Sequence, residues 1–122
     1  MRAFPVIYAR DVALVASFYE RLGFEVVYRF ETGYVSMQRG DTSLGVTTVD
    51  SPKMLAGIDA GTQPRFEMFV YVEDVDATVA DLRAAGVLVL ADPKDMPWGE
   101  RVAYVTDPEG NPVALATAAS ER

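Results

Sequence analysis

The sequence predicts an α+β fold of two tandem β-α-β-β-β modules forming curved mixed sheets. Three observations point there. Asp11, Val12 and Gly23 recur as Asp74, Val75 and Gly86, each 63 residues further on, which marks an internal duplication. In each copy an Asp precedes an apolar pattern of helical spacing, and a Gly follows it. Short strand-like runs stand before and after each helix.

The elements follow in order. "AFPVIYA" reads as an extended run. Asp11 is the candidate N-cap, a carboxylate able to accept from the free amides of a first turn. Val15, Phe18, Tyr19 and Leu22 then recur on one helical face, and Gly23 stands where a left-handed residue can end the helix. Strands are expected at Glu25–Phe30, Tyr34–Gln38 and Ser43–Val49. "SPKMLAGIDAGTQPR", rich in Gly, Pro and Ala, is a linker with room for one helical turn. "RFEMFVYV" opens the second copy, where Asp74 caps Val75, Val79 and Leu82, and Gly86 ends the helix. Strands are expected at Val87–Leu90, Arg101–Thr106 and Val113–Thr117, with "DPEGN" turning between the last two. The whole reads as one domain over 1–122, with a module at 2–50, a linker at 51–65 and a module at 66–118.

One helix per module covers one sheet face only. Alternation puts Pro5, Ile7, Leu44, Val46, Met68, Val70, Val72, Val113 and Leu115 under the helices. It puts Phe4, Val6, Tyr8, Gly45, Thr47, Glu67, Phe69, Tyr71, Ala114 and Ala116 on the other faces. That second set mixes aromatics, small residues and one charge, and suits a ligand cleft between two sheets or an interface.

Composition narrows the chemistry. The chain has neither cysteine nor histidine, which removes disulfides, thiol nucleophiles, Ser-His-Asp triads and His-based acid–base or metal chemistry. Eighteen acidic against eleven basic residues give a net charge of −7, which disfavours nucleic acid and acidic membranes and would attract a cation. Moderate acidity also serves solubility alone. With no long apolar run and no leader of signal-peptide length, the expectation is a cytoplasmic protein.

"ARDVALVASFYERLGFEVV", "VEDVDATVADLRAAGV" and "WGERVAYVTDPEGNPVAL" together resemble the vicinal oxygen chelate superfamily, the glyoxalase / bleomycin resistance / dioxygenase group, over nearly the whole chain. The resemblance implies four metal-ligand positions, usually His and Glu, which here read Phe4, Gly45, Glu67 and Ala114. One carboxylate is no site for zinc, nickel, iron or manganese, so no metal and no other cofactor is expected. The resemblance then points to the metal-free, bleomycin-resistance-like branch. Its members are acidic homodimers that sequester flat-ringed, often cationic antibiotics without chemistry.

On that resemblance Trp98 would stack on a planar ligand; a Trp capping the core is the other reading. Glu67 either binds a ligand amine, acts as a general base, or pairs with Arg65 or Arg101. Arg101 either orients a ligand carboxylate or carbonyl, or pairs with a neighbouring Glu. Tyr8, Phe30, Tyr34, Met37, Phe66, Phe69, Tyr71 and Tyr104 are candidate cleft residues, each able to serve the core instead. Met54 and Leu55 could form a flap. Sequestration by a homodimer is the leading expectation. A metal-free lyase or isomerase using Glu67, and a sensor or accessory module in a biosynthetic pathway, are the alternatives.

Overall fold

The computed structural model describes residues 3–31, 33–62 and 64–118. The chain divides into two compact units, Met1–Thr62 and Gln63–Arg122.

In the first unit the order is β1 (Val6–Ala9), α1 (Val12–Glu20), β2 (Glu25–Phe30), β3 (Tyr34–Arg39), β4 (Thr42–Thr48) and α2 (Ser51–Ala56). The strands form one sheet in the order β1-β4-β3-β2, with β1 parallel to β4 and the other pairs antiparallel. The second unit runs β5 (Met68–Tyr71), α3 (Val75–Ala84), β6 (Val89–Asp95), β7 (Arg101–Thr106) and β8 (Pro112–Thr117). Its sheet has the matching order β5-β8-β7-β6, with β5 parallel to β8. Two mixed four-stranded sheets with a repeated β-α-β-β-β order are the predicted fold class.

The helix ends explain the duplication in physical terms. Asp11 Oδ1 accepts from the Leu14 amide and Asp74 Oδ1 from the Ala77 amide, each at 3.0 Å. At the other end Gly23 has φ +94° and Gly86 φ +87°, conformations an L side chain rarely adopts. The Gly23 amide donates to the Glu20 carbonyl and the Phe24 amide to the Tyr19 carbonyl. Gly86 to Arg83 and Val87 to Leu82 repeat that pattern, the paired bonds of a Schellman stop. Phe24 also packs edge-on against Tyr19, the apolar contact that goes with this stop. Arg39 of β3 adds a 2.8 Å bond from Nε to the Leu22 carbonyl.

Each unit's core lies where its helix covers its sheet. Val15, Tyr19, Ile7, Leu44 and Val46 are buried in the first unit. Val75, Val79, Leu82, Val70, Val113 and Leu115 are their counterparts in the second. Burying one such side chain is worth about 1.5–3 kcal/mol. Three strand expectations change. Pro5 lies before β1 and is exposed, and Met68 and Val72 are only half-buried. β6 continues beyond Leu90 to Asp95 through Pro93, with register shifts on either side of Ala91. β6 is an edge strand, where a missing N–H and an irregular ladder are tolerated.

Candidate functional site

The two sheet faces away from the helices carry most of the candidate residues. In the second unit β5 turns Phe69 and Tyr71 to the face opposite Val70, and the register sets them beside Ala114 and Ala116. Across the next ladder Ala114 faces Tyr104 and Ala116 faces Val102. Val102, Ala114 and Ala116 form a buried cluster with Met96 and Tyr104 packed against it.

At one end of this face stands the loop that holds Trp98. The Met96 amide donates to the Glu100 carbonyl at 2.8 Å, and the Gly99 amide to the Met96 carbonyl at 2.9 Å, closing a tight turn. Trp98 Nε1 donates to Glu100 Oε1 at 2.8 Å, and the Tyr71 hydroxyl donates to Glu100 Oε2 at 2.7 Å. One carboxylate therefore holds an indole and a phenol. The Phe69 ring lies 5.4 Å from that of Tyr71. The hydrogen bond to Glu100 raises the Tyr71 phenol above its usual 10.0, because the carboxylate favours the protonated donor. Trp98 is 61% exposed, so it does not cap the core, and with its N–H engaged its apolar surface is what it presents. Glu100 was not among the sequence candidates. The Trp98–Glu100 spacing across a tight loop is readable in "WGE", but its meeting with Tyr71 requires the fold.

In the first unit Tyr8, Phe30 and Tyr34 share one face. The register runs Tyr8 to Thr47, Thr47 to Tyr34, and Tyr34 to Phe30. Gly45 lies on that face too, opposite Val6 and Ser36. A Cβ built on Gly45 would stand 2.8 Å from the Tyr34 hydroxyl oxygen and 3.2 Å from Cε1, so glycine is what lets the phenol lie there.

Two candidates leave the site. Met37 is fully buried and pairs with Leu44 and Val26 on the helix-covered face, an odd number of residues from Tyr34. Arg101 faces away from Val102 and Tyr104 by the same parity, and is committed to acidic partners. Its Nε and Nη2 grip Asp76 at 2.7 and 3.0 Å, and Nη1 reaches Asp95 at 3.1 Å. These bonds lower the Asp76 carboxyl and raise the guanidinium further. The partners are aspartates rather than the neighbouring Glu. Arg65 pairs with Glu109, so neither arginine meets Glu67, which is exposed just before β5. Phe66 is half-buried ahead of the same strand, and Met54 and Leu55 are exposed on α2.

The residues at the four positions that the resemblance implies as metal ligands do not fit one. Phe4 offers a ring, Ala114 a buried methyl, and Glu67 a single carboxylate. At Gly45 the space of a ligand side chain holds the Tyr34 phenol. Among the described residues no three His, Cys, Asp or Glu side chains are grouped to hold a metal ion.

The profile of the Glyoxalase/Bleomycin resistance protein/Dioxygenase superfamily matches residues 3–115. The chain belongs to this superfamily. It is 27% identical over 114 residues to a bleomycin resistance protein of Klebsiella pneumoniae, spanning 93% of this chain and 90% of that protein. A bleomycin-binding protein solved with bleomycin matches at 27% identity with a TM-score of 0.65, over 97% of this chain and 98% of the other. A lactoylglutathione lyase structure from Agrobacterium tumefaciens reaches a TM-score of 0.76 at 20% identity, over 98% and 95%. Binding proteins and enzymes thus share this superfamily's fold, and the site must decide between them. No helix among the described residues is long and apolar enough to cross a membrane.

Proposed function

We propose that the protein binds a planar small molecule bearing positive charge, of the antibiotic type, and sequesters it unchanged. The carrying observation is the Trp98–Glu100–Tyr71 arrangement. An exposed indole and a phenol are held by one carboxylate, so ring surface and negative charge lie together. Ring faces attract flat groups and cations, and a net charge of −7 draws a cation from solution. The similarity to bleomycin resistance and bleomycin-binding proteins supports the same reading. On it the protein works in the cytoplasm, as a homodimer, with no metal or other cofactor.

The test is to titrate the protein with bleomycin, follow the emission of its one tryptophan, and recover the ligand for mass analysis. Saturable quenching with intact ligand is expected, and light scattering of the same samples should give a dimer mass. Absence of quenching at millimolar bleomycin refutes the binding reading, and a monomer mass refutes the dimer. A metal-free enzyme is the second reading, with the Glu67 carboxylate, which is engaged by neither Arg65 nor Arg101, as its base. It requires turnover of the recovered ligand that Glu67→Gln abolishes.

A further inference from the structure

We infer that Tyr34 takes the place of a chelating side chain in the first unit, with Gly45 as its seat, and that its hydroxyl selects ligands by hydrogen-bonding a carbonyl or amide oxygen. The inference rests on the binding reading above. Three observations carry it. The Tyr34 oxygen lies 2.8 Å from where a Gly45 Cβ would be, so the phenol fills the room that any side chain at 45 would claim. No hydrogen bond to that hydroxyl is formed among the described residues, although Tyr34 is half-buried and the neighbouring Thr47 hydroxyl is engaged by the Gly33 carbonyl. It is therefore a half-buried donor with no acceptor among the described residues.

The third observation is a partial parallel in the second unit. Ala114 holds the position in β8 that Gly45 holds in β4, as their pairing to Phe69 and Val6 shows. Tyr104 stands directly across from Ala114 and packs against it. Each unit thus sets a small residue where a ligand side chain would project, with a tyrosine of the adjoining strand beside it: Tyr104 directly across from Ala114, and Tyr34 across from Thr47, two residues along from Gly45. A phenol donates one directional bond to one oxygen, whereas a metal gathers two. The selected ligand feature is accordingly a single exposed carbonyl rather than a pair of vicinal oxygens.

The experiment has a ligand-free and a ligand-bound arm. Protein labelled with 3-fluorotyrosine is compared by fluorine NMR as wild type, Tyr34→Phe and Gly45→Ala. The resonance missing from Tyr34→Phe identifies Tyr34, and it should shift in Gly45→Ala, where the new Cβ must push the ring aside. Bleomycin affinity is then measured calorimetrically. Tyr34→Phe and Gly45→Ala should each weaken binding about five- to tenfold, the worth of one hydrogen bond. The double variant should be no weaker than either, since both act through the same hydroxyl. An unmoved resonance in Gly45→Ala overturns the seat. Wild-type affinity in Tyr34→Phe, or additive losses in the double variant, overturns the selective role. If wild-type protein does not bind bleomycin while the resonance shifts, the binding reading and the selective role fall together and the seat stands.

Discussion

Replacing Arg65 by methionine should be among the most damaging single changes in the second unit. Arg65 arrives just ahead of β5 and its Nη2 donates to Glu109 Oε1 at 3.0 Å. The Glu109 side chain is 3% exposed and that of Arg65 14%. The arginine amide also donates to Asn111 Oδ1 at 2.9 Å. Asp107 organises the same turn, accepting from the Glu109 and Asn111 amides and from Asn111 Nδ2. Arg65→Met keeps the backbone bond and much of the aliphatic stem but takes the guanidinium away from a buried carboxylate. Breaking a buried pair by removing one partner costs about 3–5 kcal/mol.

At about 2.1 cal/mol/K per residue, a chain of 122 residues has an unfolding entropy of roughly 0.26 kcal/mol/K. The melting temperature should then fall by about 12–20 °C, read by thermal circular dichroism. Arg83→Met is the control. Its pair with Asp92 is just as short, 2.8 Å, but exposed on both sides, and is worth about 0–1 kcal/mol. Arg65→Met/Glu109→Met should recover most of the loss, because two apolar side chains leave no buried charge. If Arg65→Met melts no lower than Arg83→Met, burial is not what makes this pair matter.

Two further outcomes follow from the helix caps and from Tyr71. Asp11→Ala and Asp74→Ala should each cost about 1 kcal/mol, and their melting shifts should add in the double variant; a loss for only one would mean that the duplicated caps are not energetically equivalent. The Tyr71 phenol is raised above 10.0 by Glu100. Its bond is therefore fully present below the unfolded value and is lost as the pH rises through the folded one. In an alkaline absorbance titration Glu100→Gln should bring one of the six tyrosines back toward 10.0, and superimposable curves would refute the coupling.

What could be read in the chain was local and repeated. Asp, apolar helix and Gly use bonds within a few residues, so a single offset revealed both helices and their ends. Alternation separated Val70 and Leu115 from Phe69 and Ala114 correctly, because the register carries parity from strand to strand. Met37 and Arg101 have the chemistry of cleft residues but the opposite parity, and both fall on the other face. The bulge between Val26 and Tyr28 leaves no mark in composition, nor does the edge position that lets β6 run through Pro93. Glu100 joins Tyr71 across 29 residues, a meeting set by the β5-β8-β7 order rather than by any local pattern.

The parallel pairs set an order of assembly. In each unit the first strand bonds to the last, β1 to β4 and β5 to β8, while the intervening hairpin can zip by itself. Closing each sheet therefore waits on its final strand, the slow non-local step. On a ribosome the first unit has every sheet partner once Thr48 is made. The second must wait for Pro112–Thr117, which lies between β5 and β7 and bonds to both. A chain stopped at Thr106 would lack the strand between β5 and β7, leaving β5 with no ladder and exposing the edge of β7 to other chains.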